Sequence, residues 1–250
     1  MRPVLWGLLV FLLCLPLALV LYLVAAARYP AMDSFTAKLP APIGAAVAQV
    51  ALQRAGYDKD EAKAVDRAIR LDPESADAWS RRCRLDANGA ATKDATSCRM
   101  AIGLDPSEWN YNGLGAVQEG AGDYCGAEES YTRAIQKRAN DAFFLRNMAR
   151  AALRCGHSGA SVAGLEVAEA LDAKTAADPD EDDDIKDDLL ADREFLTVAY
   201  DRSNRPDKAA AICVKAHPTW KSCHCELTDK SVKCAEGPSP AESRSAAHER

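Results

Sequence analysis

Aromatic residues are scarce in this chain, at 6% of 250 positions. That scarcity counts against a sheet-rich fold, because strands favour aromatic and β-branched side chains. Also missing is a basic stripe: the formal net charge is −6, and no run of Lys and Arg offers the phosphate contacts that a nucleic-acid binder needs. Nucleic acid is therefore excluded as a partner. The chain has no Gly-rich phosphate loop, no HExxH zinc-protease signature and no GxSxG nucleophile elbow. Its four histidines, His157, His217, His224 and His248, form no catalytic constellation in the sequence. The reading is of a protein that is not an enzyme, with no cofactor and no metal. Alanine is abundant from residue 45 to residue 216, and small side chains suit closely packed helices, so the body is expected to be all-α.

Charge is unevenly spread. Residues 178–200 hold ten acidic and two basic side chains, a local balance of −8. Calcium is the obvious use for such a run, but the spacing fails. With Asp178, Asp180 and Asp182 opening an EF-hand loop, Asp183 occupies the position of the turn glycine and Leu189 that of the closing Glu. The residues 178–184 read as a solvated acidic loop whose last carboxylates favour the N-terminus of the following helix.

What is plentiful lies at the two ends. Met1, Arg2 and Pro3 precede an uncharged apolar run over 4–27, long enough to cross a hydrocarbon core as a helix. It exceeds the roughly 7–15 apolar residues of a cleaved signal peptide. It therefore reads as a retained transmembrane anchor, with cleavage at Ala25-Ala26-Ala27 as the alternative. Flanking charges do not fix orientation, since Arg2 on one side faces Arg28 and Lys38 on the other. The cysteines do. Setting aside Cys14 in the apolar run, Cys83, Cys98, Cys125, Cys155, Cys213, Cys223, Cys225 and Cys234 form an even set, which points to disulfides and an oxidising compartment. The body is expected outside the cytoplasm, on a bacterial inner membrane facing the periplasm.

Self-similarity organises the middle. Ala68-Ile69-Arg70-Leu71-Asp72-Pro73 returns as Ala101-Ile102-Gly103-Leu104-Asp105-Pro106, followed by Ala134-Ile135 and Ala168-Glu169-Ala170-Leu171-Asp172. Ala68, Ala101, Ala134 and Ala168 stand 33, 33 and 34 residues apart. Around them, Tyr111-x-x-Leu114-Gly115 precedes Ala127-x-x-x-Tyr131 and Ala134, with Gly122-Asp123-Tyr124 as the turn. Gly115, Ala127 and Ala134 lack bulk, so two helices can approach closely there, while Tyr111, Leu114 and Tyr131 fill the surrounding space. Pro73 and Pro106 each close one unit. Period and motif together resemble the tetratricopeptide repeat, a helix pair that must stack on its neighbours to bury its apolar face. The resemblance implies helix pairs over 42–71, 76–104, 107–137 and 140–173, and a further pair over 185–214 suited to cap the stack. The flanking units depart from the motif: Arg81 and Arg82 follow Trp79 where Leu-Gly is expected, and Phe143-Phe144 opens a unit that also lacks Leu-Gly.

Such arrays bind peptides or partner helices on the face lined by the first helix of each pair. With Trp79 and Tyr111 directed into the stack, the helical period leaves Ser80, Arg84, Trp109, Asn112, Ala116 and Glu119 as candidates for the binding groove. Antiparallel stacking of the repeats also implies disulfides from Cys125 to Cys155 across a unit boundary and from Cys83 to Cys98 within one. At the C-terminus, residues 223–234 read as two short strands around Asp229-Lys230, which places Cys225 opposite Cys234 and leaves Cys213 for Cys223. The rival reading gives Cys213, Cys223, Cys225 and Cys234 to zinc or to redox exchange.

The organisation expected is thus an anchor over 1–27, a linker over 28–41, repeats over 42–174, an acidic loop over 175–184, a capping pair over 185–217, a Cys-rich hairpin over 218–236 and a disordered tail over 237–250. The function expected is that of an anchored scaffold in an envelope assembly that holds a protein or peptide partner. A redox-active or zinc-binding protein is the alternative.

Overall fold

A computed structural model describes residues 17–36, 38–55, 61–89, 94–178, 183–229 and 231–237. Two compact units, Met1–Pro106 and Ser107–Arg250, divide the chain. Both are built from antiparallel helix pairs, with one two-stranded sheet near the C-terminus.

The first unit begins with a helix over 17–28, then a 3₁₀ turn Pro30–Met32 and a short helix Asp33–Thr36. Four longer helices follow: α1 (Ala41–Ala55), α2 (Glu61–Leu71), α3 (Ala76–Asn88) and α4 (Thr96–Leu104). On α2 the charged residues alternate with Val65 and Ala68 at helical spacing, and the two apolar side chains bury against Ala48, Leu52 and Ala78. The turn after α2 is ended by Pro73, and Ser75 then caps α3 by accepting from the Ala78 amide at 3.3 Å. Arg81 and Arg82, which break the repeat motif, are used to tie helices together. Arg81 donates to the Leu52 carbonyl at 3.1 Å, and Arg82 pairs with Asp66 at 3.0 Å and Asp86 at 3.1 Å. Trp79 is half-buried rather than sealed in the stack, because its indole nitrogen turns back to the Pro73 carbonyl at 2.8 Å.

Arg67 closes the start of this unit. Its guanidinium donates to the Ala27 carbonyl at 2.6 Å and to that of Ala26, and pairs with Asp33 at 2.6 Å. Ala26 and Ala27 are buried against Val47 and Ala51. A cation thus satisfies the carbonyls at the C-terminal end of the 17–28 helix, where the helix dipole favours it. Among the described residues no helix is long and apolar enough to cross a membrane. The apolar run is described only from residue 17, and its first part, with Cys14, lies outside the described residues. Residues 179–182 of the acidic run and 238–250 of the tail also lie outside them.

The second unit holds α5 (Glu108–Gly120), α6 (Tyr124–Lys137), α7 (Ala142–Cys155), α8 (Ser158–Thr175), α9 (Asp183–Arg202) and α10 (Pro206–Ala216), then β1 (Cys223–Leu227) and β2 (Val232–Glu236). Each helix packs on the next. Asp123 caps α6 through the Gly126 amide at 3.0 Å, and Asp141 caps α7 through that of Phe143 at 3.1 Å. Gly156, at φ 98°, ends α7 in the left-handed conformation that glycine tolerates best. Where α5 meets α6, a β-carbon on Gly115 would lie 2.6 Å from the Tyr131 ring. The bare backbone there is what lets the buried tyrosine close the crossing. Leu153, Val162, Leu165, Phe195 and Leu196 form the larger core, onto which Leu227 and Val232 of the hairpin pack. An isolated hairpin is marginal in water, so this packing supports it.

The register of the hairpin pairs Cys225 with Cys234 and Leu227 with Val232. Among the described residues, four disulfides join Cys83 to Cys98, Cys125 to Cys155, Cys213 to Cys223 and Cys225 to Cys234.

Candidate functional site

Two of the groove candidates belong to the first unit. Ser80 and Arg84 are half-buried on α3, and Arg84 is ion-paired to Glu61, a buried side chain of α2. Arg84 therefore holds two helices of its own unit together, and no ligand is needed to explain it.

In the second unit, Trp109, Asn112, Ala116 and Glu119 form one stripe along α5, three or four residues apart, and α7 contributes a matching stripe. Trp109 is 55% exposed, yet its geometry is fixed. It meets the fully buried Phe144 edge-on, with ring centroids 5.1 Å apart, and lies 6.0 Å from the exposed ring of Phe143. Arg138 places its guanidinium 6.0 Å from the Trp109 ring centroid. One turn on, Asn147 of α7 donates to the side-chain oxygen of Asn112 at 2.9 Å. Ala116, half-buried, stands in the middle of the stripe. At its far end Glu119 accepts from the Tyr131 hydroxyl at 3.2 Å and faces Arg154 at 3.6 Å. The arrangement is an aromatic step, an amide pair and a charged end on one face, which suits contact with a polypeptide better than it suits bond-breaking chemistry.

The α7 side of this face was not among the sequence candidates, although the repeat contains it. Adding one period to Trp109, Asn112, Ala116 and Glu119 gives Phe143, Asn147, Arg150 and Arg154, at steps of 34 or 35.

Arginines line α7 at positions 146, 150 and 154. Arg146 is 4% exposed and surrounded by acid. It donates to Asp192 at 2.7 Å and Asp188 at 2.8 Å, and it is ion-paired to Asp172. Burial works against its charge, and the three carboxylates outweigh that, so its pKa is raised. Asp192 is completely buried, and burial pushes it up to about 6 against the pull of Arg146. Its second oxygen has no hydrogen-bond partner among the described residues. Arg150 stacks over Phe195 at 4.6 Å, and burial lowers its pKa. Of the carboxylates in 178–200, Asp192 thus lies in the interior and the half-exposed Asp188 closes the cluster from its edge.

Among the described residues, two clusters have the composition of metal sites: Glu128 with Cys155 and His157, and Glu194 with His217 and Cys234. In each the cysteine is in a disulfide, so no thiolate is available and two conventional ligands remain. His157 instead contacts Glu128 at 2.7 Å, and His217 stacks on Trp220 at 3.9 Å. The four C-terminal sulfurs proposed as zinc ligands are likewise committed to bonds with one another.

No protein-family model matches the chain, and no curated protein matches it in sequence. Solved structures do match in fold. Two crystal structures of MamA superpose with a TM-score of 0.53 each, at 15% and 17% identity, covering 71% and 67% of this chain and 90% and 92% of theirs. The C-terminal part of a TPR repeat-containing protein from Cytophaga hutchinsonii superposes with a TM-score of 0.53 at 17% identity, covering 74% of this chain and 72% of its own. The fold is that of a tetratricopeptide-type helical repeat.

Proposed function

We propose that this chain is a membrane-anchored scaffold, held outside the cytoplasm, which grips a segment of a partner protein along the α5 and α7 face of its second unit. The observation that carries the reading is Trp109. Binding energy at interfaces concentrates in rigid, exposed aromatics, and Phe144 fixes the angle at which this ring is presented. The Asn112–Asn147 pair and the exposed Arg138 supply polar contacts around the step. The partner segment is one with an apolar anchor for Trp109 and Phe143 and with acceptor groups nearby, and the wider role is in an envelope assembly.

Retention of the anchor is supported by Arg67. Cleavage after Ala27 would remove the two carbonyls that this arginine holds and would expose the surface that Ala26 covers. Placement outside the cytoplasm is supported by the four disulfides. Alkaline phosphatase fused to the C-terminus should be active, and the protein should stay in the membrane fraction. An inactive fusion, or a soluble product beginning at Arg28, would contradict this placement. For the binding face, a photo-crosslinker at Ala116 in the full-length protein should trap the partner, whereas the same group at the exposed Glu129 on α6 should not.

A further inference from the structure

The two C-terminal disulfides are neighbours in space as well as in sequence. Cys213 on α10 is fully buried, and its sulfur lies 3.5 Å from that of Cys225 on β1. The two inner sulfurs, Cys213 and Cys225, therefore face each other. Their bonded partners are Cys223 and Cys234. A cavity of roughly 260 Å³ opens beside this cluster, walled by Thr197, Asp201, Pro206 and Ala209 and by Cys223 and Cys225. A purely structural clasp needs neither the contact between its disulfides nor a cavity leading to them.

We propose that this cluster is a thiol–disulfide exchange site that accepts two electrons from a dithiol, such as a cysteine pair on another protein, and keeps the hairpin tied to α10 throughout. A thiolate of the dithiol enters through the cavity and attacks the sulfur of Cys223. A mixed disulfide forms there, the Cys213–Cys223 bond breaks, and its electron pair leaves on Cys213. The Cys213 thiolate is already in contact with the sulfur of Cys225. It attacks, the Cys213–Cys225 bond forms, the Cys225–Cys234 bond breaks, and Cys234 leaves as thiolate. The second thiol of the dithiol then attacks its own sulfur in the mixed disulfide and departs as an oxidised disulfide, freeing Cys223. The dithiol has lost two electrons and two protons, and Cys223 and Cys234 have gained them as thiols. Entry at Cys234 reaches the same product, since it releases Cys225, which attacks Cys213 and expels Cys223. Both routes converge on the pair already in contact, Cys213 and Cys225, and the bond they form still joins α10 to β1.

The test uses the full-length protein in detergent, dithiothreitol as the dithiol, rapid alkylation and non-reducing peptide mapping. The first two-electron product should carry a Cys213–Cys225 bond, with Cys223 and Cys234 alkylated and the Cys83–Cys98 and Cys125–Cys155 bonds intact. A first product that keeps Cys213–Cys223 or Cys225–Cys234 while the other bond is opened would overturn the proposal. So would opening of Cys83–Cys98 or Cys125–Cys155 first. A second measurement is independent of kinetics: the double variant Cys223→Ser, Cys234→Ser should recover from its oxidising compartment with Cys213 bonded to Cys225. Free thiols at both positions in a folded variant would overturn it equally.

Discussion

Replacing Arg146 with alanine is expected to cost the fold about 3–5 kcal/mol near neutral pH, because it leaves buried carboxylates without their counter-charge. Asp172 and Asp192 are buried beside it, and Asp188 completes the cage. The deficit should depend on pH in a definite direction. Asp192 has a folded-state pKa of about 6 against an ordinary value of 3.8, so the native state binds its proton more tightly than the unfolded chain does. Its contribution to stability is greatest below that window and is lost as pH rises through about 6. Without Arg146 the carboxylate loses its main source of charge stabilisation, so protonation should relieve more of the strain in the variant than in the wild type. Urea midpoints should therefore show a smaller deficit at about pH 5 than at about pH 8. A deficit below about 1 kcal/mol, the scale of a surface ion pair, would remove the cluster from the account of stability.

The second large effect is expected at the Cys125–Cys155 bridge. It joins the first turn of α6 to the last residue of α7 across 30 residues. A loop of that length is worth about 3–4 kcal/mol on the chain-entropy model, more than the ~3 kcal/mol for the 15-residue Cys83–Cys98 loop. The double variant Cys125→Ser, Cys155→Ser should unfold at a correspondingly lower denaturant concentration while keeping its helical circular dichroism under native conditions. An unchanged midpoint would mean that α6 and α7 are held by packing alone, through Tyr131, Ala127 and Ala151.

The repeat was legible because its physics is local. Small residues at Gly115, Ala127 and Ala134 and breakers at Pro73 and Pro106 recur with a fixed period, and the helices follow them. The hairpin was legible because the alternation of its side chains favours one register, the one in which Leu227 faces Val232. Helical phase says which side of α3 Arg84 occupies, but not that a buried Glu61 from the preceding helix pairs with it there. Trp79 was misplaced for a similar reason, its indole being drawn to the Pro73 carbonyl. The acidic loop over 175–184 was read as solvated, and the helix after it was read without partners for its own carboxylates. On that helix Asp188 and Asp192 meet Arg146 across 42 and 46 residues of chain, a pairing that only the packing of α7 against α9 creates. The contact between the two C-terminal disulfides is of the same kind, set by how β1 lies on α10.

The central claim is that the α5 and α7 face holds a partner through Trp109, and crosslinking in intact membranes tests it most directly. A photo-crosslinker is placed at Ala116 of the anchored full-length protein, with and without Trp109→Ala. One defined adduct is predicted at Ala116, reduced on the order of 30-fold by Trp109→Ala if the tryptophan contributes about 2 kcal/mol as an interface anchor. An adduct of equal yield with alanine at 109, or equal yield from Glu129 on α6, would contradict the claim.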